Sequence, residues 1–596
     1  MMQYMCKYSP IELIKAFGTE VVMPNGEAED LNWADSLIHG NVCAHARQVL
    51  GEARHQEAVL LTNCCDSIRR VADTLALETA VEAAPAADGQ KRTALKASPR
   101  VHMLDLPHND NACAIRLFAG TLKRFRDNYA GETGLAFDRE TFLREWKNSA
   151  EVWRIKRVGM AGAPYVAVMG ARASEELLIA IHKKMLPLGV EDLTCLGCRS
   201  IGEPPSDAGS LTEDELFEAY AGALLRQIPC MRMTAVAGRR ELTEDPGLKG
   251  IVYNTIRFCD YYDFEYASLR SRTDVPILKI ESDYTSQTRG QLMTRLEAFA
   301  EQFAGIRSSL GSRDKTASKE AGTAGMTNDR KEGEGLKPLY VGIDSGSTTT
   351  NAVAINESGE MEAWCVLRTG AKASQAAEAA LDDLAAQTGR DKETFTRVCA
   401  TGYGRMGIAA ADFTRTEITC HARGAHILDP KARCVIDIGG QDSKVICLDK
   451  EGQVTGFVMN DKCAAGTGRF LEMMARTLEL ELGDMDKLGL EWKKDLTISS
   501  TCTVFAESEV ISLIAEDRET SDIIHGLNKA VAQRTYGLVQ RVRGTGPFMM
   551  TGGVARNPGL VKEIEAKIGE PLSISDHPDL AGALGAAHFA RDGESM

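Results

Sequence analysis

Apolar and polar positions divide the chain before residue 307 into alternating strand-like and helix-like stretches. Four mostly apolar runs, each followed by polar or turn residues, are typical of buried strands: AVLLTN (58–63), VHMLDL (101–106), YVAVMG (165–170) and VPILKIE (275–281). The stretches between them have helical periodicity, and strands that alternate with helices form parallel sheets with crossover helices. The pattern predicts two parallel-sheet α/β units, at residues 1–155 and 156–306.

Residues 307–337 interrupt this alternation. The segment is rich in Gly, Ser, Thr and charged residues and contains almost no apolar ones, so it is predicted to be a flexible linker. A second polar stretch, rich in Ala, at residues 80–98 predicts a surface loop within the first unit. Residues 338–596 then form a further domain.

Three Gly-rich segments follow the linker, and an apolar strand precedes each of them. They lie in LYVGIDSGSTTTNAVAI (339–355), VIDIGGQDSKVI (435–446) and FMMTGGVARN (548–557). The first is a strand, a tight turn and a second strand, which differs from a strand-to-helix phosphate loop. One such segment alone is equally consistent with a structural turn. The order and spacing of all three are typical of actin- and hexokinase-like ATPases and predict nucleotide binding.

Residue chemistry in these segments suits phosphate and Mg²⁺. Glycine lets the backbone approach a phosphate, hydroxyls and amides donate hydrogen bonds, and Asp344 can hold Mg²⁺ through water. The candidate water-activating residues, by position only, are Asp344, Asp437 and Gln441. The candidate nucleotide-binding residues are Ser345, Gly346, Ser347, Thr348, Gly439, Gly440, Gly552 and Gly553.

Composition and charge exclude several classes of function. The 596 residues are 44% hydrophobic and 26% charged, which is ordinary for a soluble globular protein. A net charge of −15 without a basic stripe argues against a nucleic-acid partner. No apolar run is long enough to span a bilayer, and the N-terminus MMQYMCKYSP lacks a signal-peptide core, so we expect a cytoplasmic protein without membrane contact.

Sixteen cysteines in such a chain require an explanation. A reducing compartment disfavours disulfides, which leaves core packing, metal ligation or redox chemistry. Seven cysteines stand outside Gly-rich or paired settings and are assigned to core packing: Cys6, Cys113, Cys365, Cys399, Cys420, Cys434 and Cys447. The other nine are candidates for metal or redox chemistry.

The C-terminal domain resembles a known ATPase family. The motifs are ATGYGR (400–405), DIGGQD (437–442), NDKCAAGTGRF (460–470) and ISSTCTVFAESEVIS (498–512). On the basis of these motifs, the segment 338–592 is similar to the activator ATPase of 2-hydroxyglutaryl-CoA dehydratase and to relatives that energise benzoyl-CoA reductase. Together these proteins form the BadF/BadG/BcrA/BcrD family. The resemblance implies ATP-driven, low-potential one-electron transfer, with a reduced ferredoxin or flavodoxin as the electron donor.

Two cysteines in these motifs stand at the starts of predicted helices. Cys463 precedes AAGTGRFLEMMARTLEL and Cys502 precedes TVFAESEVISLIAE. Free N–H groups and the positive end of the helix dipole suit an anionic thiolate cluster. Because a [4Fe–4S] cluster normally takes four thiolates and each chain supplies two, we expect a homodimer with one cluster on its two-fold axis. Two buried cysteines at helix starts are the structural alternative.

The N-terminal region resembles, more loosely, the 2-hydroxyacyl-CoA dehydratase subunit family, with flavodoxin- or Rossmann-like units. The motifs are SPIELIKAFG (9–18), NVCAHARQVLG (41–51), TNCCDSIRR (62–70), DLTCLGCR (192–199), IRFCDYYDFE (256–265) and PILKIESDYTSQTRGQLMTRLEAFAE (276–301). The resemblance implies a second iron–sulfur cluster held by Cys43, Cys65 and Cys259. Cys64 is adjacent to Cys65, so either of the two can be the ligand.

Further cysteines in the same region resemble those of double-cubane cluster proteins, which use six. Cys195 and Cys230 are the added candidates, and Cys64 or Cys198 can be the sixth ligand. A surface thiol pair or an incomplete zinc site at Cys195 and Cys198 is the alternative, since two ligands do not close a zinc site.

Three functions are compatible with these features. The first is an ATP-driven iron–sulfur reductase of a small molecule, with donor and acceptor clusters in one chain. The second is a 2-hydroxyacyl-CoA dehydratase, a lyase acting on an acyl-CoA, fused to its activator; against it, such dehydratases pair two different subunits and only one copy is present. The third is a non-enzymatic iron–sulfur delivery or sensing module. The substrate is not indicated by any motif.

Overall fold

The computed structural model describes residues 1–24, 28–39, 41–83, 99–160, 162–282, 289–303, 306, 337–460, 464–498 and 503–593. The chain forms two compact units, Met1–Met293 and Thr294–Met596. Among the described residues, no helix is long and apolar enough to cross a membrane.

The first unit contains two four-stranded sheets in which every strand pair is parallel. The strands of the first sheet are β1 (Met2–Tyr4), β2 (Val21–Val22), β3 (Ala58–Thr62) and β4 (Arg100–Leu104), in the order β2-β1-β3-β4. Those of the second are β5 (Tyr165–Gly170), β6 (Gly189–Asp192), β7 (Leu248–Ile256) and β8 (Ile277–Ser282), in the order β6-β5-β7-β8. The predicted pair of parallel α/β sheets is confirmed.

Helices connect these strands, and their polar caps explain where several begin. They are α1 (Ile11–Lys15), α2 (Ala28–Leu37), α3 (Ala44–Ala53), α4 (Asp66–Ala83), α5 (Ala112–Thr133), α6 (Arg139–Met160), α7 (Glu175–Met185), α8 (Glu213–Leu225) and α9 (Asp260–Arg270). Asn111, Ser174 and Thr212 cap α5, α7 and α8 by accepting a backbone N–H bond. A short 3₁₀ helix covers Ala237–Leu242.

The division between the units falls within α10 (Arg289–Glu301). The part of α10 that belongs to the second unit buries Leu296 and Phe299. Ala298 packs in a cluster with Ile418 and Ala422 of that unit. The compact second unit therefore begins before the polar segment at 307–337, of which residues 307–336 lie outside the described residues.

The second unit contains two five-stranded mixed sheets with the same topology. One has β9 (Tyr340–Ser345), β10 (Thr349–Ile355), β11 (Met361–Arg368), β12 (Arg397–Thr401) and β13 (Phe413–Thr414), in the order β11-β10-β9-β12-β13. The other has β14 (Cys434–Ile438), β15 (Ser443–Leu448), β16 (Val454–Asn460), β17 (Phe548–Thr551) and β18 (Leu572–Ser573), in the order β16-β15-β14-β17-β18. In each, an antiparallel meander is extended by two parallel strands, so the fold is an internal duplication of the actin- and hexokinase-like type.

The helices of this unit are α11 (Ala373–Thr388), α12 (Glu417–Leu428), α13 (Gly468–Thr477), α14 (Leu482–Leu488), α15 (Thr503–Ala515), α16 (Thr520–Val542), α17 (Pro558–Ile568) and α18 (Ala581–Asp592). Short 3₁₀ turns cover Lys392–Thr394, Arg405–Gly407, Gly553–Arg556 and Pro578–Leu580. Helices α12 and α18 follow the last strands of the two sheets and pack against each other, so they hold the two halves together.

Candidate functional site

A cavity in the first unit lies where strands of both parallel sheets end. Residues after β1 and β3 of the first sheet, and after β5, β6 and β7 of the second, contribute to its wall. The carboxyl ends of parallel strands are where open α/β sheets bind ligands. With its opening the cavity encloses about 560 Å³ of space. Its wall contains seven cysteines: Cys6, Cys43, Cys64, Cys65, Cys195, Cys230 and Cys259.

Three of these cysteines stand at helix N-termini. Cys43 and Cys259 are the N-cap residues of α3 and α9, and Cys65 directly precedes α4. The first turn of a helix has unpaired N–H groups and the positive end of the dipole, which favour a thiolate over a thiol. The helix N-termini thus favour anionic sulfur at these three positions, but burial outweighs this effect and raises the pKa of Cys43 and Cys259.

The pKa values of the Cys64 and Cys65 thiols shift in opposite directions. A hydrogen bond from Cys64, together with Arg232 and the Ser67 and Ile68 amides, outweighs burial and lowers the pKa of Cys65 to about 5. The same hydrogen bond and burial raise the pKa of Cys64. The hydrogen bond within the pair therefore favours a thiolate on Cys65 and a thiol on Cys64.

Buried cations offset the cost of burying other thiolates in the cavity. Burial alone would raise the pKa of Cys230, but Arg232, Lys7 and the Tyr262 hydroxyl lower it below its ordinary value. Tyr262 Oη lies 3.3 Å from Cys230 Sγ. For the remaining thiols burial prevails, and it raises the pKa of Cys259 to about 11 and that of Cys195 to about 12.

Arg232 indicates that the cavity is built for an anionic, sulfur-rich group. Its guanidinium donates to Cys230 Sγ at 3.8 Å and to Cys259 Sγ at 3.9 Å. Its buried Nε has no hydrogen-bond acceptor within the described part of the chain. A buried cation requires a compensating negative charge, and here sulfur is the neighbour that can carry it.

The thiols of the wall surround the cavity and do not converge on one point. Among the residues that the structure describes, no three His, Cys, Asp or Glu side chains converge closely enough to hold a single ion. In an iron–sulfur cluster each thiolate binds a different iron, so its ligands surround a space instead of meeting at a point. Seven thiols around one cavity satisfy that requirement.

The structure corrects the assignment of Cys113 to core packing, places Cys6 both against the core and on the cavity wall, and separates the open candidates. Cys6 lines the cavity because it follows β1, whose carboxyl end faces that space. Cys113 is exposed at the start of α5. Cys64 lines the cavity, whereas Cys198 does not: it is buried with its Sγ 3.6 Å from Lys7 Nζ. Cys43, Cys65, Cys195, Cys230 and Cys259 all reach the wall.

Two buried ion pairs near the cavity were not predicted from the sequence. Glu12, in the first turn of α1, accepts two bonds from Arg199 at 2.7 and 2.9 Å and one from Tyr220 at 2.6 Å. Glu265 of α9 pairs with Arg239. These contacts link segments that are distant in sequence. Their only signal in the sequence is a glutamate at an otherwise apolar position of a helix.

In the second unit, the first Gly-rich segment is the tight turn between β9 and β10. The Gly346 amide donates to Thr349 O at 2.9 Å, and Thr369 Oγ1 donates to Gly346 O at 2.8 Å. Asp344 and Ser345 end β9 and are buried, whereas Ser347 is exposed at the tip. The Gly404 amide binds Ser345 O at 2.9 Å, so the ATGYGR segment packs behind this turn.

The other two Gly-rich segments converge on the first. A Cβ at Gly440 would overlap Thr348 Oγ1, and one at Gly552 would lie 3.1 Å from Asp437 Oδ1. The Gly439 and Gly440 carbonyls accept the first amides of α13 at 2.9 and 2.8 Å. Gly553 follows Gly552 at the end of β17, and Gln441 is exposed on the turn after β14. The structure thus brings the three segments into one cleft.

Asp344 and Asp437 share this cleft with two basic residues that were not among the candidate site residues. His421 of α12 lies 3.3 Å from Asp344 through Nε2 and 3.3 Å from Asp437 through Nδ1. Lys444 Nζ lies 2.9 Å from both Asp437 and Asp442. Burial would lower the pKa of His421, but Asp437 and Asp344 raise it to about 9.

Carboxylate oxygens are suitable ligands for Mg²⁺. Asp344 and Asp437 differ in how many protein groups already contact their carboxylate oxygens. Asp437 already accepts from Lys444 and Thr551, and it lies 3.3 Å from His421 Nδ1. Asp344 contacts only His421 among the ion pairs of the described residues. Asp344 is therefore the more available of the two for a cation and its waters. The signal for His421 in the sequence is a histidine on the buried, otherwise apolar face of α12.

Cys463 and Cys502 lie outside the described residues. The structure describes the helices that follow them: α13 begins at Gly468 and α15 begins at Thr503. The first two turns of α15 expose apolar side chains, with Val504 64% and Phe505 66% accessible.

Comparison with known proteins identifies the second unit. Residues 341–590 match a model described as the BadF/BadG/BcrA/BcrD ATPase family. The 2-hydroxyisocaproyl-CoA dehydratase activator of Clostridioides difficile is 42% identical over 252 residues, which cover 42% of this chain and 94% of that protein. The chain belongs to the BadF/BadG/BcrA/BcrD ATPase family.

Other members of this family extend the comparison. The crystal structure of component A of (R)-2-hydroxyglutaryl-CoA dehydratase from Acidaminococcus fermentans is 41% identical, with a TM-score of 0.42, and covers 43% of this chain and 98% of that one. The activator of lactoyl-CoA dehydratase from Anaerotignum propionicum is 44% identical over 250 residues, 42% of this chain and 96% of that protein. Residues 6–183 and 188–303 match a second model, described as 2-hydroxyglutaryl-CoA dehydratase, D-component.

Proposed function

We propose that this protein is an ATP-dependent iron–sulfur electron-transfer enzyme. In this proposal its ATPase unit drives low-potential electrons to an iron–sulfur group in the cysteine cavity of the first unit, for reduction of a small molecule. The observation that carries the proposal is the set of seven thiols around one cavity, in a chain whose other unit is an ATPase related to dehydratase activators. When bound, such clusters supply one-electron redox chemistry.

The residues of the cavity would hold and shield the group. Cys43, Cys65 and Cys259 would bind it from helix N-termini, with Cys195 and Cys230 as further ligands. Cys6 and Cys64 are the remaining thiols of the wall, so six or more ligands are within reach of a double-cubane cluster. Arg232 and Lys7 would offset its negative charge, and the apolar wall would limit access of water.

The second unit would contribute a half-site. Cys463 and Cys502 of two chains would bind one [4Fe–4S] cluster on a two-fold axis. The exposed apolar start of α15, directly after position 502, supports a homodimer, because exposed apolar patches mark protein contacts. Asp344 would hold the Mg²⁺ of ATP. A reduced ferredoxin or flavodoxin is the proposed electron donor.

Iron analysis of anaerobically prepared full-length protein tests the proposal. We expect about two irons per chain from the second unit and about four or eight from the first, depending on whether its group is a single or a double cubane. Cys463→Ser should lose only the irons of the second unit, and Cys259→Ser only those of the first. Each variant should also lose the EPR or Mössbauer signal of the cluster concerned. ATP binding should persist in both variants.

Cys113→Ser is the matched control, since Cys113 is an exposed thiol outside the cavity. This variant should keep all iron. Wild-type protein without iron under these conditions, or equal iron loss in Cys113→Ser and Cys259→Ser, would contradict the proposal.

A fused 2-hydroxyacyl-CoA dehydratase with its activator is the second candidate. The match of residues 6–303 to a dehydratase D-component and the names of the ATPase relatives favour it. The two candidates differ in electron count, because dehydration of a 2-hydroxyacyl-CoA consumes no net electrons whereas reduction does. Catalytic water loss from an acyl-CoA, with reductant only in priming amounts, would select the lyase.

A further inference from the structure

The duplicated topology of the second unit places equivalent residues on the two sides of its cleft. Asp344 of β9 pairs in register with Thr401 of β12, and Asp437 of β14 pairs with Thr551 of β17. The glycines that follow these threonines, Gly402 and Gly552, have the same φ of 85°. The two acids are therefore counterparts, one from each sheet.

His421 is the residue that joins these counterparts. Its Nε2 lies 3.3 Å from Asp344 Oδ2 and its Nδ1 lies 3.3 Å from Asp437 Oδ1. A single imidazole thus contacts a carboxylate from each half of the unit. It is buried, and it comes from α12, which connects the two halves.

The duplication is broken at the position equivalent to His421. Helices α12 and α18 cross so closely that a Cβ at Gly424 would overlap the Ala581 carbonyl oxygen, and one at Gly585 would overlap that of Cys420. These two contacts are exchanged by the pseudo-two-fold relation, so Ala581 is the counterpart of Cys420. The next residue along, Gly582, is then the counterpart of His421.

Gly582 provides the room that the imidazole needs. A Cβ at Gly582 would overlap Asp344 Oδ2 and would lie 2.9 Å from His421 Nε2. Helix α12 therefore places the His421 side chain on the pseudo-two-fold axis, and Gly582 of α18 leaves the space for it. This is an arrangement for one histidine shared by two acids.

We propose that His421 is a positioning residue of the nucleotide site, which fixes the separation and orientation of Asp344 and Asp437 for the divalent cation of the bound nucleotide. The physical reason is that two buried carboxylates repel each other, and one buried side chain in contact with both holds them at a fixed separation. Asp437 is held further by Lys444, so His421 transmits that fixed position to Asp344. His421 itself contacts neither nucleotide nor cation in this role.

Nucleotide binding with and without metal tests this inference in the full-length protein. In His421→Gln we expect ATP affinity in EDTA to stay within about twofold of wild type, because contacts made without metal are kept. The gain in ATP affinity on adding Mg²⁺ should fall by about tenfold, within the usual range of coupling between two ligands. The kcat for hydrolysis should fall roughly 100-fold, as expected for small misplacement of reacting groups.

Gly582→Ala should show the same loss of Mg²⁺ coupling, since its methyl group would displace Asp344 and crowd His421. The matched control is His426→Gln on the same helix, which packs against Gly452 away from both acids and should behave as wild type. Wild-type Mg²⁺ coupling in His421→Gln would overturn the inference. An equal loss of affinity in EDTA and in Mg²⁺ would also overturn it. Neither readout requires iron, so the iron–sulfur proposal is tested separately.

Discussion

Asp437 illustrates how a single residue serves both folding and chemistry. Its carboxylate is buried and accepts from Lys444 at 2.9 Å and Thr551 at 2.8 Å, with His421 at 3.3 Å. His421 and Lys444 outweigh the effect of burial and hold the pKa of Asp437 well below its usual range. Asp437 is thus an anchoring charge for two buried cations as well as an acid of the proposed nucleotide site.

Asp437→Ala should therefore reduce stability as well as hydrolysis. Removing one partner of a buried ion pair costs about 3–5 kcal/mol, and we expect the lower end because Lys444 keeps Asp442. Asp442→Ala is the matched control: Asp442 pairs with the same lysine but is 24% exposed, so its loss should cost about 1 kcal/mol or less. Calorimetry measures the stability of both variants from the unfolding transition that MgATP shifts. Equal stability of the two variants would contradict this account.

At the scale of elements, the crossing of α12 and α18 positions the residues of the proposed nucleotide site. Gly424 and Gly585 let the two helices approach backbone to backbone, which is tighter than side-chain packing allows. Since His421 is one turn before Gly424 on α12, the crossing also sets its distance to both acids.

Gly424→Ala should destabilise the second unit by about 1–3 kcal/mol, because the added methyl group has no space beside the Ala581 carbonyl. The same substitution in α16, Gly537→Ala, is the matched control, since nothing lies within 4 Å of its Cβ position. There we expect a gain of about 0.5–1 kcal/mol from helix propensity. ATP hydrolysis should fall only in Gly424→Ala. A stabilising effect at Gly424 would show that the helices can separate at no cost.

At the scale of the whole molecule, the exposed start of α15 should govern assembly. Phe505→Ser removes a 66% exposed aromatic side chain next to position 502. We expect a shift from dimer to monomer in sedimentation analysis and loss of about two irons per chain, since one chain supplies two thiolates of a four-iron cluster. ATP binding should remain.

Leu117→Ser in α5 of the first unit is the control for this experiment, because Leu117 is similarly exposed at 62% but distant in sequence from the half-site cysteines. It should leave assembly and iron content unchanged. A monomeric wild-type protein with a complete four-iron cluster in the second unit would contradict the shared site.

The sequence alone determined the classes of the elements and the order of the motifs. Apolar runs predicted β3, β4, β5 and β8 to within two residues at every end. Strands β3 and β5 are buried throughout, and buried parallel strands are continuous apolar segments. The three Gly-rich segments come together in the structure, since tight turns and close backbone approach require glycine at fixed positions. That they bind a nucleotide stays a prediction. Strands β1, β2, β6 and the nine-residue β7 were missed. For β1 and β2 the reason is that two or three residues give no periodicity.

Only the tertiary structure decided which side chains share a site. Cys6 and Cys64 join the cavity wall and Cys198 does not, because the carboxyl ends of strands from two sheets meet there. His421 is likewise an ordinary residue of a helix until α12 crosses α18 and lies between acids from two sheets. Such contacts join residues far apart in sequence, so no local pattern records them. They depend on packing, which is a property of the whole folded unit.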